Sequence, residues 1–310
     1  LGSSMIKNWL CAALVVAFAG AAHADVKPPP APPPTAEIAS PTPVRPALFV
    51  ARDDDSAIYL FGTVHVRRPG SEWGGPAAQA ALAEADEVWT EMDISDASQQ
   101  DVQILIFNHG MASPDRPLSS YLNKAEREQL AAAIARFNGS PEMFERMRPW
   151  LAGMMLSVLP MMQTGYEADA GVDRAVMAAS GDAHPRTFET AADQIGFFAN
   201  LSDEAQREFL LDGIRGANED ASEMDEMSGA WERGDLDTLE RMALVDFQRD
   251  YPELFEVLFT RRNRAWVETL THELDGAGVD FVAVGAGHLL GEGGIVELLR
   301  ARGVSVERVE

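Results

Sequence analysis

Cysteine is almost missing from this chain of 310 residues: Cys11 stands alone, inside an apolar stretch near the start. A lone thiol closes no intramolecular disulfide, so stability must come from a packed core, which a chain of this length can build. The same scarcity excludes thiolate catalysis and Cys-ligated zinc in the body of the chain, and the lack of a Cys-x-x-Cys-His sequence excludes covalent haem. Basic residues are also few. With 25 Lys and Arg against 49 Asp and Glu, the net charge is -24. A body so acidic repels nucleic acid and anionic lipid, and suits a neutral or cationic small-molecule or peptide substrate. Most of that charge is scattered over helices as a solvated surface. Nothing in the sequence fixes an oligomeric state.

The first segment has the pattern of a secretory signal peptide over residues 1–24. Lys7 precedes an apolar stretch from Trp9 to Ala22, which leads into Ala22-His23-Ala24, a small-x-small cleavage pattern. The stretch is broken by small residues and runs straight into that pattern, so a stable membrane anchor is not expected and the protein should be exported, to the periplasm or beyond. Removing residues 1–24, which hold Lys7 and no acid, takes the charge from -24 to -25. Nine of the 18 prolines then fall between Val26 and Pro46, and such a tract favours extended polyproline II. Residues 25–46 are expected to be a linker, with one domain over residues 47–310.

Within that domain, Leu48 to Val50 and Ile58 to Phe61 flank Asp53-Asp54-Asp55-Ser56 as a hairpin. A helix with proline in its first turn (Pro76 to Ala85) and the strand-like Glu87 to Asp93 follow. From about Asp101 to Glu273 the pattern is helical, with only Arg186-Thr187-Phe188-Glu189 reading as a strand. Strand signals return at Val279 to Val284 and Val304 to Glu307, around a helix from Gly294 to Arg302. The fold class expected is α/β, a mixed central sheet with a large helical insertion between its two halves.

Two histidines share a setting. His65 ends Ile58-Tyr59-Leu60-Phe61-Gly62-Thr63-Val64-His65, and His288 ends Phe281-Val282-Ala283-Val284-Gly285-Ala286-Gly287-His288, each three residues after a glycine that closes an apolar run. The G-x-x-H spacing also occurs at Gly20 to His23 and Gly181 to His184, so strand context, not spacing, singles out His65 and His288. Strand ends are where α/β sheets place ligands. His109, His184 and His272 lack that context. Glu91 and Glu189 close strands of their own. Two imidazoles and a carboxylate (His65, Glu91, His288) suit a divalent metal that activates water, with a second carboxylate as general base. Without metal, one histidine could be the base and a glutamate its orienting partner.

Tyr59-Leu60-Phe61-Gly62-Thr63-Val64-His65 and Val284-Gly285-Ala286-Gly287-His288-Leu289-Leu290-Gly291-Glu292-Gly293-Gly294 resemble the two signature ends of the TraB/GumN/Tiki family. Pro149-Trp150, Gly171-Val172-Asp173, Phe188 to Gln194 and Arg261-Arg262-Asn263 resemble its internal landmarks, in the same order. Gly287 departs mildly, standing where a larger residue would also fit. The resemblance implies a core related to erythromycin-esterase-like hydrolases and to a haem-binding lipoprotein group, and an activity like that of the animal members that are metal-dependent proteases. By position it makes His65 and His288 the motif histidines, Glu91 and Glu189 the acids, and Arg262-Asn263 the Arg-Asn pair. Arg262 is expected to be a fork for a substrate carboxylate or a developing oxyanion. Gln194 would orient Glu189. The expectation is an exported metal-dependent hydrolase, peptidase-like, with a metal-independent esterase-type enzyme or a non-catalytic haem-, ligand-binding or regulatory protein as the alternatives.

Overall fold

The computed structural model describes residues 44–310 apart from 71 and 219–221. The expected signal peptide and nearly all of the expected linker therefore lie outside the described residues. The linker's last residues do not behave as a spacer. Val44 is buried in the core and the Arg45 N–H donates to Glu232 O at 2.7 Å, because an apolar side chain here has a core to enter.

Six strands form one mixed sheet: β1 (Leu48–Arg52), β2 (Ser56–Thr63), β3 (Glu87–Thr90), β4 (His184–Thr187), β5 (Gly278–Gly285) and β6 (Ser305–Arg308). Their spatial order is β4-β3-β5-β2-β1-β6. The hairpin β1–β2 turns on Asp53, whose carboxylate accepts the Ser56 N–H at 2.8 Å. β6 adds antiparallel to β1, whereas β2, β5, β3 and β4 all run parallel. The helical stretch enters as a long crossover between β3 and β5, interrupted by β4 alone, as expected from the pattern. His184 opens β4 as an exposed residue, so it does have a strand, but at that strand's amino end and away from the site.

Alternation along the inner strands gives the sheet two apolar faces. Phe61, Phe281 and Ala283 pack with the helical insertion, including Trp150, Phe209 and Trp231. Leu60, Val282 and Val284 pack on the opposite face with Trp266, Val267 and Leu270 of the helix Arg261–Leu274 and with Ile295 and Leu299 of Ile295–Ala301. No helix among the described residues is long and apolar enough to cross a membrane.

This topology positions the site. Four neighbouring parallel strands point their carboxyl ends to one edge, with Thr63 opposite Gly285 and Thr90 opposite both Ala283 and Thr187. Past those ends the backbone pairing continues, since Phe188 N–H donates to Thr90 O and Glu189 N–H to Glu91 O. The two glutamates expected to close strands thus lie just beyond them, side by side.

Candidate functional site

His65, Glu91, Glu189 and His288 each leave the end of a different parallel strand, and the helix Arg261–Leu274 brings Arg262 over them. His65, Glu91, Arg262 and His288 are all buried. Glu91, Glu189, Arg262 and His288 meet in one hydrogen-bonded network centred on the Arg262 guanidinium, and His65 lies beside it, 4.0 Å from Glu91 Oε1. The Arg262 Nε donates to Glu189 Oε1 (2.8 Å), and Nη2 donates to Glu189 Oε2 (2.9 Å) and Glu91 Oε2 (2.5 Å). Nη1 takes Leu258 O (3.0 Å) and His288 Nε2 (3.2 Å). Leu258 lies in a π-helical turn, Glu256–Thr260, that leads directly into the Arg262 helix.

A guanidinium has five N–H donors and no acceptor, and these contacts use all of them. The fork expected for a substrate is therefore engaged by the protein itself. Trp266 and Phe197 lie against its face, at 4.7 and 5.2 Å from ring centroid to Cζ. Gln194, expected beside Glu189, donates to Glu189 Oε2 at 2.9 Å and also to Glu91 Oε2 at 3.3 Å.

Because Arg262 can only donate, the His288 Nε2 facing it must be the acceptor. The proton then sits on Nδ1, which donates to Asn263 Oδ1 at 2.5 Å, while Asn263 Nδ2 is tied to Gly293 O at 2.8 Å. Trp266 and Phe259 close over the imidazole, with centroids at 4.5 and 4.9 Å. Burial, then the charge of Arg262, hold the His288 pKa down at about 3. Burial alone would raise Glu91, but Arg262 and then the two histidines outweigh it and hold its carboxyl well below the ordinary range. Glu189 goes the other way: burial raises it and Arg262 only partly offsets that.

The neutral state of His288 has a consequence for stability. The unfolded chain protonates this histidine near its ordinary value of 6.5 and the folded chain only near 3, so between those values the unfolded state binds more protons and stability falls as the pH falls. His288→Gln removes that uptake. Between pH 6.5 and 5 the urea midpoint of the wild type is expected to drop relative to that of the variant, with Asp280, which burial and nearby acids push up to about 6, acting equally in both. Parallel midpoints over this interval would show that His288 accepts its proton in the folded state.

His65 has a different partner, one that the sequence reading placed in a landmark but not in the site. Asp173, in the first turn of the helix Val172–Ala179, accepts from His65 Nδ1 at 2.8 Å and from Thr63 Oγ1 at 2.7 Å. Gly171 makes this approach feasible: a Cβ there would lie 2.5 Å from His65 O. With Nδ1–H on Asp173, Nε2 presents its lone pair into the site, 4.0 Å from Glu91 Oε1. Burial pulls the His65 pKa down, but Asp173 and then Glu91 more than reverse it, and the net shift is upward. A cavity of about 30 Å³ adjoins, lined by His65, Glu91, Asp173 and Arg174 among others. That is room for on the order of one water. A much larger cavity, about 580 Å³, opens elsewhere against Phe107, Met143 and Met147, and contains none of these residues.

The residues expected to hold a metal are His65, Glu91 and His288. His288 Nε2 is occupied by Arg262, Glu91 Oε2 by Arg262 and Gln194, and Glu91 Oε1 accepts the Gly285 N–H at 2.8 Å. His65 Nε2 keeps its lone pair and Glu91 Oε1 keeps one beside the Gly285 N–H, but the lone pair of His288 Nε2 is taken. A divalent ion among the three would also sit beside a buried guanidinium. Among the described residues, no group of three or more His, Cys, Asp or Glu side chains is arranged to hold a metal. As placed, His65, Glu91 and His288 do not fit one.

The TraB/PrgY/gumN family model matches residues 47–308, a span that contains every residue of this network. The chain belongs to the TraB/PrgY/gumN family. It is 24% identical over 260 residues to "Uncharacterized protein YbaP" of Escherichia coli (strain K12), covering 82% of this chain and 92% of that one. The YbaP protein of Shigella flexneri is similar to the same extent. No solved structure gives a significant match. Among the residues singled out in the sequence, the geometry separates two groups: His288, Asn263, Arg262, Glu189 and Glu91 bind one another, while His65 and Asp173 pair at the cavity.

Proposed function

We propose that this TraB/PrgY/gumN member is an exported hydrolase that works without a metal, with His65 as the general base that activates water. The observation that carries the reading is the His65 imidazole itself, held through Nδ1 by Asp173 at 2.8 Å with Nε2 turned into a cavity beside Glu91. A carboxylate on Nδ1 fixes the tautomer and makes Nε2 more basic, the arrangement by which histidine accepts a proton from a nucleophile. Water in the cavity would give one proton to Nε2 as its oxygen attacks an ester or amide carbonyl, and the imidazolium would return it to the leaving group. Glu91, pinned by Arg262 and the Gly285 N–H, supplies a fixed negative charge that favours that imidazolium. The pattern of Trp9 to Ala24 supports export, and the parallel core with a helical insertion is compatible with an erythromycin-esterase-like arrangement.

The test is hydrolysis of a panel of short peptides and carboxylic esters, followed by mass spectrometry, before and after exhaustive chelation. Activity is expected to survive chelation and to rise with pH through a pKa above the ordinary histidine range, since the base must be deprotonated and Asp173 raises it. Activity that vanishes on chelation and returns with a divalent ion would replace this reading with the metal-dependent one.

A further inference from the structure

With Arg262 saturated, the cation at the cavity is a different arginine. Arg174 sits one residue after Asp173 in the helix Val172–Ala179 and lines the same cavity as His65 and Glu91. Its Nε is buried and has no hydrogen-bond acceptor among the described residues. The ion pair it makes runs from that same Nε to Asp169 Oδ1 at 3.8 Å, too long for a hydrogen bond, and the Asp169 side chain is 87% exposed whereas that of Arg174 is 25% exposed. A pair so long, to a carboxylate so well hydrated, contributes little.

That situation is unlike every other charge of the site. Glu91 and Glu189 are both engaged by Arg262, and Asp173 by His65 and Thr63. A buried N–H left unsatisfied is destabilising, and no carboxylate among the described residues reaches this one at hydrogen-bond distance. An orphaned guanidinium donor against a cavity that holds the base is therefore placed for an acceptor that arrives with the ligand. Planar carboxylate is the acceptor that a guanidinium edge fits best, through two parallel N–H···O bonds.

We infer that Arg174 binds a carboxylate of the substrate, so that the site takes a carboxylate-bearing peptide or ester and not a neutral or cationic one. This rests on the hydrolase reading for turnover but not for binding. It also moves the role expected of Arg262 by one element: the fork is on the helix that carries Asp173, and Arg262 holds the frame. The overall acidity of the chain would then slow encounter with such a substrate while Arg174 holds it once inside.

The experiment compares N-acetyl-dialanine, which ends in a free carboxylate, with its C-terminal amide, by calorimetric titration into the full chain and into Arg174→Gln and Arg174→Lys. The wild type is expected to bind the acid at least tenfold more tightly than the amide. Arg174→Gln should remove that preference and Arg174→Lys should restore part of it, with the amide unchanged throughout. Equal binding of acid and amide by the wild type, no binding of the acid at millimolar concentration, or a preference that Arg174→Gln leaves intact, each overturns the assignment. Turnover by the wild type separates the two readings: a wild type that binds the acid selectively yet hydrolyses neither it nor its methyl ester would sink the hydrolase reading while leaving Arg174 in place.

Discussion

Replacing Arg262 by methionine is expected to destabilise the protein by about 3–5 kcal/mol, the scale for removing one partner of a buried ion pair. Methionine matches much of the stem's volume, so the loss reports the charge and not a cavity. Glu91 and Glu189 would be left facing one another with only Gln194, Trp266 and the Gly285 N–H as donors. Neither carboxylate could stay ionised at ordinary cost, and both would titrate upward. The penalty in Arg262→Met should therefore be largest at about pH 8 and shrink toward pH 5, where the variant's native carboxylates take up more protons than the wild type's. Urea unfolding across that range measures it. A variant as stable as the wild type at pH 8 would mean that the guanidinium is not holding the two acids and is free to meet a substrate.

The second large effect is on rate. His65→Ala is expected to lower hydrolysis by ~10²–10⁴-fold, the range for loss of a positioned general base, with little change in unfolding midpoint. Asp173→Asn is the sharper test because it keeps shape and burial. It should lower the rate by on the order of 10²-fold or more and move the ascending limb of the pH–rate profile to lower pH, since the first cause that raises the His65 pKa against burial is the Asp173 charge. A merely structural aspartate would leave that limb where it was. His288→Gln gives the contrast: His288 is neutral, wrapped by Trp266 and Phe259, and its lone pair is taken, so its loss should show in stability and in the acid limb of folding more than in the position of the rate profile.

The strand ends were legible because runs such as Phe281-Val282-Ala283-Val284, buried on both faces of a parallel sheet, have no helical reading once glycine follows them. From those runs came His65 and His288, and by the same logic Glu91 and Glu189. Asp173 was not legible as a partner of His65. An acid in the first turn of a helix is what the helix dipole asks for anyway, and nothing local tells that it turns toward a residue 108 positions earlier. Arg262 was legible as a residue, but its partners inside the protein were not. Whether five N–H groups are spent inside the protein or kept for a ligand depends on Leu258 in its π-helical turn and on two distant carboxylates, which no spacing rule reports. For Arg174 the difficulty was the reverse: in a chain this acidic, an arginine near Asp169 reads as paired, and only the 3.8 Å separation and the orphaned Nε say otherwise.

The strand order β4-β3-β5-β2-β1-β6 places in the middle of the sheet a strand that arrives almost last along the chain. Until Gly278–Gly285 has been made, β2 and β3 have no common neighbour, and the sheet exists as two fragments, each with a bare inner edge. Ser56 at the start of β2 hydrogen-bonds Gly276 O, 220 positions further on, so the closing contact carries a long loop-closure cost and slow folding is expected from the topology. Synthesis that stops short of β5 would release two ribbons with unpaired inner edges in place of a smaller stable domain. A ribosome-bound chain is thus held open, with its inner edges unpaired, until the strand that carries His288 to its place has emerged.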